Sequence, residues 1–177
     1  MFWRQKKKAV RLPDGMEVAN GCRFRSADGR ITVTVTPEAL RTMLGYGRAS
    51  SWQNETGGIL LGQYEDDYRT AAVLDVTGPP AGSSWGRTWF SRGGGNLDTL
   101  LEERWQQGIY YLGEWHTHPH GSTTPSSDDL RTMRSIASKP SYACLEPILL
   151  ILGGSDVQWA LNAVVLIDGT PITMASI

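Results

Sequence analysis

Residues 109–129 read IYYLGEWHTHPHGSTTPSSDD, and this stretch decides how the rest of the chain is read. Ile109 to Trp115 is an apolar and aromatic run set off by Gly108, the pattern of a buried strand. It passes without a break into His116-Thr117-His118-Pro119. The chain has three histidines, all between positions 116 and 120. On a strand, residues two apart point to the same side with roughly 6.5–7 Å between their α-carbons. The rings of His116 and His118 can therefore converge on one ion. Pro119 removes a backbone donor and stops the strand, which exposes both rings at a sheet edge. A loop of Gly, Ser and Thr follows. Ser126 then opens a helix, led in by Pro125 and followed by Ser127-Asp128-Asp129, with a hydroxyl to cap it and acids in its first turn.

Upstream, Ile31 to Val35 alternates β-branched residues and reads as a strand. Thr36-Pro37-Glu38 opens a helix whose apolar face is Ala39, Leu40, Met43 and Leu44, with Gly45 or Gly47 as its end. Glu55-Thr56-Gly57-Gly58 leads into the short buried strand Ile59 to Gly62, with Ala72 to Val76 as its neighbour. Residues 78–95 are loop-like, rich in Gly, Pro and Ser, yet hold Trp85, Trp89 and Phe90. Asn96 to Gln107 returns to helical spacing. Downstream, Pro147 to Leu152 and Trp159 to Ile167 are apolar strands, and Asp168-Gly169 turns into an edge strand. Interleaved helices and strands predict an α/β class with a mixed central sheet flanked by helices. Two parts are expected, a 1–30 segment with a basic start and short strands and a 31–177 part that holds the histidines, in one domain overall.

At 177 residues and a net charge of −1, the chain offers no global attraction to nucleic acid or anionic membrane. The basic cluster from Arg4 to Lys8, with Arg11, reads as a solvated tail. Cys22 and Cys144 are too few and too far apart for a disulfide framework. The start of the chain lacks the apolar stretch of a signal peptide, and the longest apolar runs are too short to span a bilayer. The expectation is a reduced cytoplasmic protein without nucleic-acid or membrane partners.

Two neutral imidazoles and the Asp129 carboxylate leave the fourth position of a tetrahedral zinc open, as a catalytic rather than a structural site requires. Such a site needs a proton acceptor, and Glu55, entering a buried strand with no evident cationic neighbour, is the best candidate. The Ser126 hydroxyl is available to a developing oxyanion.

Glu55 with Gly57-Gly58, then His116-x-His118-Pro119, then Ser126-x-x-Asp129, resembles the JAMM signature of the MPN (JAB-domain) superfamily. The resemblance spans about Val33 to Leu166. It implies a cytidine-deaminase-like fold and hydrolysis of isopeptide or peptide bonds after the C-terminal tail of a ubiquitin-like protein. Carried onto this chain, His116, His118 and Asp129 match the ligands of one zinc, Glu55 the acid/base and Ser126 the oxyanion serine. Asp128 does not align. The compact chain, with its Gly78-Pro79-Pro80 to Phe90 segment, is most similar to the prokaryotic JAB deconjugases of type II CBASS antiphage operons. Those are encoded beside an E1/E2-like protein and release a nucleotide cyclase, or other targets, from conjugates attached through the cyclase's own C-terminus.

Trp85, Trp89 and Phe90 are candidate walls of a groove for an extended peptide tail, or else pin their loop to the core. His120 falls outside the motif and reads as a loop residue. An iron oxygenase usually reads His-x-Asp/Glu with a distant His, and a zinc nucleobase deaminase needs His-x-Glu and Pro-Cys-x-x-Cys; neither pattern is present. Other bacterial ubiquitin-like pathways and a catalytically silent MPN scaffold are the alternatives within the superfamily.

Overall fold

Apolar residues alternate along the central strands and so assign two faces to one sheet. Leu60, Leu112, Ile148, Leu150, Leu152, Ala163 and Val165 belong to one buried cluster. Their neighbours Ile59, Leu61, Tyr111, Leu149, Ile151, Val164 and Leu166 belong to a second. A computed structural model describes residues 20–65, 68–85, 90–91, 97–155 and 158–177, with the backbone alone at Trp85, Phe90 and Ser91.

In chain order the elements are β1 (Cys22–Arg25), β2 (Thr32–Val35), α1 (Pro37–Ala49), β3 (Gly57–Tyr64), β4 (Thr70–Val76), β5 (Ser84–Trp85), β6 (Phe90–Ser91), α2 (Leu97–Gln106), β7 (Tyr110–Pro119), α3 (Ser127–Ala137), a 3-10 turn (Pro140–Tyr142), β8 (Ile148–Gly154), β9 (Trp159–Ile167), β10 (Thr170–Thr173) and β11 (Ala175–Ser176). Nine strands form one sheet, ordered β10-β9-β8-β7-β3-β4-β2-β1-β11, and β5 pairs with β6 apart from it. The β2–β4 and β7–β8 pairs are parallel and the others antiparallel, so the sheet is mixed. Its two edge strands, β10 and β11, are separated in sequence only by Met174. The sheet therefore curls until its edges nearly meet. Met174 is buried at that seam, its N–H donating to Ala163 O at 2.9 Å.

The concave face wraps α1, whose Leu40, Met43 and Leu44 are fully buried. Each such side chain contributes roughly 1.5–3 kcal/mol by leaving water. Thr36 caps α1 by accepting the Ala39 N–H at 3.2 Å. The helix runs past both glycines that the sequence offered as its end, to Ala49. Gly47 is there for packing instead: a β-carbon on it would stand 2.8 Å from the Trp52 ring. The other face carries α2 and α3, through Leu97, Leu100, Leu101, Met133 and Ile136. Cys22 is half-buried and Cys144 buried, and neither is in a disulfide among the described residues. Among the described residues no helix is long and apolar enough to cross a membrane.

Candidate metal centre

The site forms where β3 begins, β7 ends and α3 begins. Trp115 is fully buried against the α1 face and donates its indole N–H to Thr77 O at 2.9 Å. Its neighbours on β7 point the other way, so His116 and His118 emerge on the face that α3 covers. Their Nε2 atoms stand 3.0 Å apart. His118 Nδ1 lies 2.6 Å from Ser122 O. A carbonyl only accepts, so Nδ1 carries the proton and Nε2 presents its lone pair.

Asp129 reaches the histidines from the first turn of α3. Its Oδ2 accepts the Ser126 N–H at 2.7 Å, while Ser126 Oγ accepts the Asp129 N–H at 3.1 Å. This reciprocal capping box fixes the carboxylate with Oδ1 at 3.4 Å from His116 Nε2. Oδ2 is 3.8 Å from His118 Nε2. Burial would raise the Asp129 pKa, but the facing His116 and the Ser126 cap hold it well below the ordinary carboxylate value. Burial lowers the His118 pKa, as does neighbouring His116, against the opposing Ser122 carbonyl and Asp129.

Glu55 is placed by the register of β3 on β7. Gly57 pairs with His116, which carries Glu55 back to the level of His118, with Oε1 at 4.0 Å from its Nε2. Thr117, between the two histidines and fully buried, clamps this approach. Its N–H donates to Thr56 O at 2.8 Å and its Oγ1 accepts the Thr56 N–H at 3.0 Å. Gly57 permits the closeness: a β-carbon there would clash with Trp115 O and stand 2.8 Å from His116 Cβ. Glu55 is only 7% exposed. Burial is the main cause of its pKa being pushed up to about 7, with His116 opposing and Asp129 assisting.

The donor set fits a small tetrahedral ion. Metal–ligand bonds of about 2.0–2.1 Å imply ligand–ligand edges of about 3.3 Å. The two imidazole Nε2 atoms are 3.0 Å apart, and Asp129 offers Oδ1 at 3.4 Å from the first and Oδ2 at 3.8 Å from the second. Glu55 also lies near enough to offer a ligand atom, all within 4.8 Å of those of His116 and His118. Glu55 Oε1 at 4.0 Å and Asp129 Oδ2 at 3.8 Å stand at similar distances from His118 Nε2, so both carboxylates face the same point.

Ser126 is exposed beside this cluster. Trp89 lies outside the described residues. Trp85 and Phe90 are described only as backbone, facing each other across the β5–β6 pair. His120 sits beyond the strand end with φ 54° and its N–H on Gly154 O at 2.8 Å. Two supports were not foreseen in the sequence. One is the Thr117 clamp, whose only signal is its position between two ligands on the opposite strand face. The other is Asn162, whose side-chain amide donates to Thr123 O at 2.9 Å.

A family profile described as prokaryotic homologs of the JAB domain matches residues 37–162, and the chain belongs to that family, a JAMM-type hydrolase with a metal cofactor. It is 46% identical over 131 residues to a CD-NTase/cGAS isopeptidase of Enterobacter hormaechei, covering 74% of this chain and 72% of that protein. A probable metalloprotease of Sinorhizobium fredii is 29% identical over 65% of this chain and 73% of its own length. The solution structure of a Desulfitobacterium hafniense protein superposes with a TM-score of 0.60 at 20% identity, over 81% of this chain and 90% of that one, and shows the same fold.

Proposed function

We propose that the chain is a zinc-dependent isopeptidase. It releases a CD-NTase, a cyclic-oligonucleotide synthase, from conjugates made through that protein's C-terminal carbonyl, in the cytoplasm and in antiphage defence. The observation that carries the chemistry is the convergence of the Asp129 and Glu55 carboxylates on the paired His116 and His118 Nε2 atoms. The name of the Enterobacter hormaechei relative supports the substrate class. His116, His118 and Asp129 would hold a zinc ion, which would lower the pKa of a bound water to about 7 and polarise the carbonyl.

The remaining work falls to the chain's own side chains. Glu55 takes a proton from the attacking water as its oxygen bonds to the carbonyl carbon. A carboxyl pKa near neutrality, the direction in which burial moves Glu55, suits accepting a proton and giving it back. Ser126 keeps its O–H free while its oxygen accepts the Asp129 N–H, and donates it to the developing oxyanion. When the C–N bond breaks, Glu55 passes the proton to the leaving amine. The products are a carboxylate and a free amine. Trp85, Trp89 and Phe90 are assigned to the groove for the extended tail. An E1/E2-like protein is the expected maker of the conjugate.

The test is incubation of the purified chain with a CD-NTase fused through its C-terminus to a carrier protein. Mass spectrometry should find cleavage after the last CD-NTase residue, lost on chelation and restored by zinc. Intact fusion in the zinc-loaded sample would defeat the substrate assignment. Cleavage of a ubiquitin-like fusion instead would favour the alternative deconjugation pathway.

A further inference from the structure

The loop joining the metal strand to α3 is held by a residue more than thirty positions away. On the helix-bearing face of β9 the side chains are Ala160, Asn162, Val164 and Leu166, one amide among three apolar residues of which the last two are buried. The Asn162 Nδ2 donates to Thr123 O at 2.9 Å. The adjacent carbonyl, Ser122 O, receives His118 Nδ1 at 2.6 Å. The loop lies close on β8 as well, since a β-carbon on Gly153 would stand 2.8 Å from Thr123 Cγ2 and 2.9 Å from Gly121 O. Ser122 Oγ, which donates to Thr124 Oγ1 at 2.8 Å and accepts the Thr124 N–H at 3.1 Å, stiffens the turn between them.

We infer that Asn162 is a positioning residue for the metal. By anchoring Thr123 O it fixes Ser122 O as the acceptor for His118 Nδ1–H, and so keeps the Nε2 lone pair of His118 aimed at the site. An imidazole ligand is oriented, and its tautomer set, by the hydrogen bond that its other nitrogen makes. Here that acceptor is a loop carbonyl, and a loop carbonyl is only as well placed as its anchor. A lone amide in an apolar stripe is the anchor. The inference rests on the zinc reading above and adds a residue outside the signature to it.

The test measures zinc affinity by competition with a chromophoric chelator, and melting of the chelated protein, for wild type, Asn162→Asp and Asn162→Leu. Aspartate keeps the shape but has no proton for Thr123 O, and leucine fills the space without a donor. Both variants should bind zinc about 10–100-fold more weakly. Asn162→Leu should melt near wild type when metal-free, which separates positioning from packing. The visible spectrum of the cobalt-loaded variants should shift as the His118 ring loses its fixed orientation. Wild-type zinc affinity in both variants would overturn this role and leave the zinc reading intact. Failure of the wild-type chain itself to bind zinc would overturn both. Weaker binding accompanied by an equal loss of metal-free stability in both variants would reduce Asn162 to a packing residue and also overturn the role.

Discussion

Gly57→Ala is the substitution whose consequence follows most directly from the geometry. Gly57 pairs with His116 across β3 and β7. An added β-carbon would lie 2.8 Å from His116 Cβ and collide with Trp115 O. Ordinary carbon–carbon contact is about 3.5–4.0 Å, so β7 must move by roughly 1 Å at the first histidine or β3 must move with Glu55. Overpacking of this kind costs about 1–3 kcal/mol. In a domain of this size that lowers the melting temperature of the chelated protein by roughly 2–12 °C. A displacement near 1 Å in the reacting groups costs on the order of 100-fold in rate. The internal control is Gly45→Ala, on the exposed side of α1 with nothing within 4 Å of the added atom. It should stabilise the fold by about 0.8–1 kcal/mol and leave cleavage unchanged. Thermal melts, zinc titration and cleavage rates of the two variants make the assay. Gly57→Ala with wild-type melting and wild-type cleavage would show that the strands are not held as closely as described.

Three further outcomes follow from the same geometry. Thr117→Val removes the acceptor for the buried Thr56 N–H and should cost about 1–3 kcal/mol, with a fall in kcat because Glu55 loses its clamp; unchanged melting would contradict the clamp. Ser126→Ala breaks one half of the capping box and should cost about 1 kcal/mol and slow cleavage roughly 10–1000-fold, whereas a loss of stability alone would leave the hydroxyl as a cap only. In the metal-free protein, Glu55 holds its proton more tightly folded, with a pKa of about 7, than unfolded, near 4.5. Its ionisation therefore opposes folding increasingly as the pH rises from 4.5 to about 7 and levels off above. Chelated Glu55→Gln should accordingly gain stability over chelated wild type between pH 5 and pH 8, by an amount on the order of 1–3 kcal/mol, and a gap that shrinks as the pH rises would refute the burial of that carboxylate.

Much of the fold was legible because local rules carried it. The Thr36-Pro37-Glu38 start of α1 and the Ser126 start of α3 are side-chain capping signals, and both helices begin where those signals stand. The apolar runs on β8 and β9 are strands, and their alternation divides the two cores. Helix ends were less legible. Glycine reads locally as a terminator, but Gly47 answers to Trp52, a contact no periodicity reveals. The seam at Met174, where one continuous segment supplies both edges of the sheet, likewise depends on long-range closure. At the site, His116, His118, Glu55, Asp129 and Ser126 stood out as polar residues in ordered spacing, and the structure brings the first four side chains together. Thr117 and Asn162 did not stand out, because a threonine and an asparagine in strands carry no signal until their partners on Thr56 and Thr123 are known.

Glu55 handles the proton in this proposal and does not hold the ion. Zinc content and fusion cleavage, measured together on purified Glu55→Gln, decide between the two roles. One zinc per chain, as in wild type, is expected with cleavage abolished. Loss of zinc would make Glu55 a ligand in place of Asp129, and retained cleavage would remove it from the chemistry altogether.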